Sequence, residues 1–330
     1  VGSEMCIRDR YHVKAGARGL SWAGAQPESE SDYRTRIDTV KQPYVSHETG
    51  QWCVFPNFNE IRKYTGVNKA KNFEIFRDIL NDNQMGSQSH DFMMASGKLQ
   101  ALCYKHEIEK TLRTPDYAGF QLLALNDYSG QGTALVGVLD VFFEEKGYIN
   151  AEQFRRFCSP TVPLARIPKF VYANNETFHA DIEVSHFGAA PLESAKTVYT
   201  IKDKFGKVYA HGTVGTRHIP IGNLYSLGSV DMTLEGIDTP QKLNLEVRIE
   251  GSDAVNDWDF WVYPAQVELV QGTVYTTDTL DAKALAVLQD GGNVLITAAG
   301  KIQYGKEVKQ YFLSLIHISE PTRRVVISYA

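Results

Sequence analysis

The sequence is poor in the features that would make it simple to assign. No apolar run approaches the ~20 residues that a membrane-spanning helix requires, so no membrane span is expected. Cysteine is scarce: the 330 residues hold four, Cys6, Cys53, Cys103 and Cys158. Their spacing fits neither a zinc motif nor a disulfide framework, and buried thiols are expected instead. Neither sign of charge dominates, since 34 basic and 39 acidic residues leave a formal net charge of −5. A mildly acidic surface argues against nucleic acid as a partner. Complete phosphate and metal motifs are also missing. Ala95-Ser-Gly-Lys98 lacks the first glycine of a P-loop, and His106-Glu-Ile-Glu-Lys110 lacks the second histidine of a zinc-protease helix. Gly130-Gln-Gly132 with Gly137 is half of a dinucleotide fingerprint, with no helix opened by it. His106 is read as a packed core histidine, and no metal or cofactor is expected.

The two ends stand apart from the rest. Val1 to Arg10 reads VGSEMCIRDR, and Leu313 to Arg323 reads LSLIHISEPTR. Both resemble translations of the transposase adapter used in sequencing libraries. One stretch of DNA encoding VGSEMCIRD can be written so that its reverse complement encodes LSLIHISEPT, and Ile327 to Ala330 resemble the adapter beyond an index. Such scars are set aside before a fold is read. Residues 11–312 are then the native segment, expected to lack both natural termini.

What is present falls into three stretches. From Tyr11 to Ser159 helical and strand patterns alternate. A short helix is predicted between Asp32 and Val40, a strand at Pro43–His47, and helices at 58–64 and 70–81. In the last of these Phe73, Phe76 and Leu80 share one face. A long helix is predicted over 89–113, stopped by Pro115, with an apolar stripe of Phe92, Ala95, Leu99, Leu102, Cys103 and His106. The apolar run 118–125 reads as a strand buried on both faces, and 151–158 as a further helix. Such alternation implies a parallel sheet with crossovers. From Pro160 to Pro264 the period changes to two, as in Phe178-His-Ala-Asp-Ile-Glu-Val184, which predicts an immunoglobulin-like β-sandwich over 160–265. From 266 to 312 helix and strand patterns return, the start of another α/β module. Residues 160–265 are expected to fold alone and 11–158 are not, because an open set of strands leaves apolar edges unpaired.

One constellation could carry chemistry. The strand at Pro43–His47 delivers Glu48 to its C-terminal end, followed at once by Gln51 and Trp52. At that end of a barrel strand a carboxylate beside a histidine and an indole suits sugar chemistry. The carboxylate attacks or stabilises an oxocarbenium-like centre, and the indole packs on the ring. The next strand runs into Asn126-Asp127, whose polar loop would face the same opening. The same residues also admit plain roles, Glu48 as a capping or salt-bridged loop acid and Asp127 as a turn former before Ser-Gly.

The run His47-Glu48-Thr49-Gly50-Gln51, then Pro56-Asn-Phe58-Asn-Glu60-Ile61-Arg-Lys63-Tyr64-Thr65-Gly66, resembles glycoside hydrolase family 2, the β-galactosidase, β-mannosidase and β-glucuronidase group. Gly119-Phe-Gln-Leu-Leu123 and Asp127-Tyr-Ser-Gly130-Gln131-Gly132 extend the match, which covers roughly 11–312. The resemblance implies a fold of α/β plus all-β type. Residues 11–159 would be the C-terminal part of a (β/α)8 barrel, ahead of the sandwich and the truncated module. It also implies a retaining exo-acting enzyme on β-glycosides, β-galactosides first. Glu48 would be the nucleophile, with substrate held by His47, Gln51, Trp52, Asn126 and Asp127. The acid/base glutamate of the family falls upstream of Tyr11, so the chain alone is expected to be inactive. Where many members carry a tryptophan after the eighth strand, this chain has Leu125-Asn126-Asp127, which bears on sugar preference. The implied partner is an oligosaccharide or polysaccharide, and the implied location is bacterial, periplasmic or extracellular. A non-catalytic carbohydrate-binding barrel and a polysaccharide lyase on a similar barrel are the alternatives. The oligomeric state is not legible.

Overall fold

A computed structural model of the chain describes residues 12–14, 19–20, 26–128, 132, 134–267 and 272–297. The adapter-like ends and Gly130-Gln131 of the polar loop lie outside them. The described residues fall into two compact units divided at Tyr263/Pro264.

The first unit begins with three parallel strands, β1 (His12–Lys14), β2 (Tyr44–Thr49) and β3 (Tyr117–Leu122), in that spatial order. Parallel neighbours need long crossovers. Between β1 and β2 lies α1 (Arg34–Ile37), whose first turn is held by the Asp32 carboxylate accepting from Arg34 N at 2.8 Å. Between β2 and β3 come a 3-10 turn at Phe58–Lys63, α2 (Lys71–Asp82) and α3 (Ser89–Leu112). Phe73 and Leu80 of α2 are buried, Phe73 in a small core with Ala70 and Leu135.

The long helix departs from its expected stripe. Leu102 is 47% exposed, while Met93, Gly97, Gln100, Tyr104, Glu107 and Thr111 are buried at spacings of three and four. Polar side chains occupy that face because each meets a partner there, which removes the desolvation cost that hydropathy assumes. Gly97 is needed on this face, since a Cβ would lie 2.2 Å from the Tyr148 ring.

The expectation of a (β/α)8 barrel followed by an immunoglobulin-like sandwich is overturned. Among the described residues strand outweighs helix, the sheets are open, and the parallel sheet holds three strands, β1, β2 and β3, with no (β/α)8 pattern. Among the described residues after β3 the chain forms turns and isolated bridges rather than a crossover helix, with α4 (Ala151–Arg155) before the next strand. Asp140 shows why. Its carboxylate folds back to accept from Phe142 N and Glu144 N at 2.8 and 2.9 Å, a local turn that competes with helix.

Strands β4 (Thr161–Arg166), β6 (Thr177–His186) and β9 (Gly222–Thr233) form one antiparallel sheet in the order β4-β6-β9. The second is five-stranded. It orders β5 (Val171–Ala173), β11 (Val255–Tyr263), β10 (Gln241–Ile249), β7 (Leu192–Asp203) and β8 (Val208–Ile219) as β5-β11-β10-β7-β8, with β5 parallel to β11. The two open sheets, three strands against five, share one apolar core and so form a two-sheet sandwich. Phe178, Ala180, Ile182 and Val184 of β6 alternate inward, as do Leu243, Leu245, Val247 and Ile249 of β10. Phe178 and Phe260 stack with centroids 4.1 Å apart, and the Tyr172 ring meets both edge-on.

A buried polar cluster joins α3 to this core. The Glu109 carboxylate accepts from Asn256 Nδ2 at 2.7 Å and Trp258 Nε1 at 3.0 Å, and pairs with Lys105 and Arg113. Burial alone would raise this carboxyl, but Lys105 and Arg113 outweigh it and hold it below its ordinary value. His106 packs edge-on against Phe170, and burial pushes its imidazole down to about 4.

In the second unit, β12 (Val274–Thr277), α5 (Ala282–Gln289) and β13 (Asn293–Ile296) make a parallel pair with its crossover. Asp281 caps α5 by accepting from Ala284 N at 2.7 Å.

Candidate functional site

The C-terminal end of β2 is built under local strain. Its pairing with β3 shifts register between Ser46 and Thr49, and within the shift Glu48 takes a φ of 58°. For a residue with a Cβ that left-handed conformation costs roughly 1–2 kcal/mol. Such strain persists only where the surroundings enforce it. Gly50 follows at φ 83°, where an added Cβ would lie 1.9 Å from Cε1 of Tyr104. The Tyr104 hydroxyl sits 2.8 Å from Gly50 O and 2.7 Å from Val136 O, and its one proton serves one carbonyl at a time.

Around this bend the side chains divide. Gln51 Nε2 donates to Glu48 Oε2 at 3.3 Å, so the amide orients the carboxylate. His47 Nδ1 meets Gln121 Oε1 of β3 at 3.0 Å on the exposed side of the strands. Trp52 donates its indole N–H to Glu107 Oε2 at 2.8 Å, and Gln100 Nε2 donates to the Trp52 carbonyl at 2.6 Å. The indole is therefore clamped to α3 from both its ring and its backbone. Glu48 and Gln51 are thus in contact, while His47 bonds across to β3 and Trp52 is anchored to α3.

Asn126 and Asp127 do something else. Asn126 Nδ2 donates to the Asp127 carbonyl at 3.0 Å. The Asp127 side chain turns inward, with the residue 1% exposed. Its Oδ1 accepts from Gly137 N at 2.9 Å, and its Oδ2 lies 2.6 Å from Lys146 Nζ. Burial raises this carboxyl above its ordinary value, and the Lys146 ammonium offsets part of the rise. In this geometry Asp127 ties Gly137 and Lys146 together. Gly137 must be glycine for that contact, because a Cβ would come within 2.3 Å of the Asn126 backbone.

A second carboxylate stands out behind the loop. Glu60 is buried, and its Oε2 has no hydrogen-bond partner among the described residues. Burial, with Asp140 and Asp127 nearby, pushes Glu60 up to about 7. Its neighbour Lys63 pairs instead with Asp140 at 2.6 Å and Glu144 at 2.8 Å. No group of three or more metal-ligating side chains occurs among the described residues. Cys53 and Cys158 are half-buried and Cys103 is buried, all free thiols, and burial raises each.

Sequence reasoning missed Gln100, Tyr104 and Glu107, the side chains that set the bend and the indole. The available signal was their spacing of four and three along one helix face. It is masked when only apolar residues are counted.

Among known proteins, a domain of unknown function, DUF8488, matches residues 176–264, the stretch that holds β6 to β11. No curated protein sequence matches. Solved structures with partial likeness include a CARDB domain from Pyrococcus furiosus bound to two metal ions. It shares 14% identity, covers 32% of this chain and 93% of its own, and has a TM-score of 0.23. The β-glucuronidase of Parabacteroides merdae shares 14% identity over 34% of this chain and 16% of its own, with a TM-score of 0.24. The exo-chitosanase of Amycolatopsis orientalis shares 13% over 54% of this chain and 20% of its own, with a TM-score of 0.32. This chain therefore spans a fifth or less of either glycoside hydrolase. Distant neighbours of this kind include glycosidases, at a likeness too low to fix fold or activity.

Proposed function

We propose that the chain carries the nucleophile of a retaining glycoside hydrolase acting on β-glycosides, β-galactosides first among them. The observation that carries this reading is the Glu48 carboxylate. It stands at the end of a parallel strand on a strained backbone, oriented by the Gln51 amide. The run His47-Glu48-Thr49-Gly50-Gln51, similar to glycoside hydrolase family 2, supports it. Glu48 attacks the anomeric carbon, the glycosidic C–O bond breaks with its electron pair going to the leaving oxygen, and a general acid protonates that oxygen. Water then displaces Glu48 and releases the sugar. In a retaining pair the acid is a second carboxyl group about 5–5.5 Å from the nucleophile. His47 and Gln51 bind sugar hydroxyls, Trp52 offers its ring, and Asn126 and Asp127 shape the far loop.

A substrate that needs no acid isolates Glu48. The chain is incubated with 2,4-dinitrophenyl 2-deoxy-2-fluoro-β-galactoside, whose leaving group departs unprotonated. The expected outcome is one fluorosugar on the peptide containing Glu48, absent from Glu48→Gln. No adduct, or an adduct elsewhere, overturns the assignment.

A further inference from the structure

A groove of about 960 Å³ runs between α3 and the edge of β11, at the upper end of the ~300–1,000 Å³ range of ligand sites. Leu99 and Leu102 line it from the helix, and Phe170, Val171, Trp258 and Trp261 from the sandwich. Strand β5 covers β11 only from Trp261 to Tyr263, so the strand edge around Asp257 and Asp259 opens into the groove.

Most of the charges around the groove are already matched, Lys98 being the exception among the charged lining residues. Asp257 is held by Arg156 at 2.9 Å and by Asn244 at 2.8 Å. Asp259 is held by Lys242 at 2.8 Å and by Asn244 at 2.9 Å. Lys105 pairs with Glu109, and Lys169 with Glu176. A ligand carrying several charges would have to break these pairs. An uncharged ligand with many hydroxyls would not, because paired carboxylates and ammoniums keep spare lone pairs and N–H groups. Asp257, Asp259 and Trp261 alternate along one face of β11, which sets the Trp261 ring, 36% exposed, beside that polar row. An indole face next to neutralised polar groups is complementary to a pyranose, which has apolar C–H faces and a hydroxyl rim.

We propose that this groove binds a neutral oligosaccharide, with Trp261 as the stacking platform, at a site separate from Glu48. The proposal stands on the groove's own geometry and is independent of the reading of Glu48. The full chain is labelled with 5-fluorotryptophan, its four indole signals are assigned by Trp→Phe variants, and it is titrated by fluorine NMR. The probes are β-1,4-galactotetraose, cellohexaose, maltohexaose and galacturonotetraose. A neutral probe is expected to move the Trp258 and Trp261 signals saturably, equally in Glu48→Gln. The Trp258 response should fall at least tenfold in affinity in Trp261→Ala and in Leu102→Arg, which fills the groove from the opposite wall. Movement of Trp52 alone would report sugar at Glu48 and overturn the groove site. Silence of Trp261 with every probe at millimolar concentration overturns it too, as does a Trp258 response that survives both variants. A response to galacturonotetraose alone overturns the neutral-ligand assignment and points to Lys98.

Discussion

In β6, β10 and β11 most buried positions hold Phe, Ala, Ile, Val, Leu or Trp, with Ser185, His186 and Asn256 as the polar exceptions. On α3 the same depth holds Gln100, Lys105, Glu107, Glu109 and Lys110. The sandwich is stabilised by apolar area, roughly 25 cal/mol per Å² removed from water. The helix is held by groups whose burial is tolerable only while every partner stays in place. The first kind of core degrades gradually when atoms are removed. The second fails at single bonds, and it is the kind that supports the bend at Glu48.

The sharpest way to break this contrast is a pair of truncations. Phe260→Ala should cost about 4 kcal/mol through its cavity, and Glu109→Ala about 3–5 kcal/mol through the stranded Lys105 and Arg113. Urea unfolding of each measures both. A companion Lys105→Met should recover part of the Glu109→Ala loss, whereas no polar change should rescue Phe260→Ala. Additive losses in the double variant would mean that the cluster is not a unit.

Gly50→Ala comes next, at about 2–3 kcal/mol, from a clash with Tyr104 and a left-handed backbone. Its partner variant Tyr104→Phe keeps the ring, so it should not relieve the clash in a thermal melt.

The Glu60 pair tests an unsatisfied group rather than a satisfied one. Because burial raises Glu60 to about 7, the folded state disfavours its charge. That penalty is absent below the unfolded value near ~4.5, grows as pH rises, and is complete above about 7. Glu60→Gln is therefore expected to be more stable than the parent by about 1–2 kcal/mol at pH 8 and no more stable at pH 4. Paired melts across that range would show the difference shrinking with acid, and a constant difference would remove Glu60 as its cause. Smallest of all, Arg248→Ala on the exposed Glu246 pair should change stability by about 0.5 kcal/mol or less.

How far the sequence was legible follows the same division. Alternation marked β6 and most of β10 and β11, because in an apolar core hydropathy and burial coincide. The helices at 71–82 and 89–112 lay within a residue or two of their predicted spans. The predicted strand at Pro43–His47 runs two residues further, to Thr49, because pairing resumes at Thr49 opposite Leu122 after the register shift. Strands β1, β4 and β5 were not predicted at all, being short or interrupted by Pro163. The barrel was implied by the family resemblance, and the helix–strand alternation beneath it ends at β3. At the site, Glu48 and Gln51 were legible as neighbours. The inward turn of Asp127 depends on Lys146, nineteen residues on, and no local pattern announces it.

Glu107 and Glu109 sit two residues apart on α3, and each receives an indole N–H, from Trp52 and Trp258 respectively. Residues two apart on a helix point in nearly opposite directions, about 200° around the axis. The helix is thus keyed on two sides at the same height, by the bend after β2 and by the sandwich. It cannot roll about its axis without pulling one indole off its carboxylate. A ligand that shifts Trp258 would reach the bend at Glu48 through one rigid turn of helix.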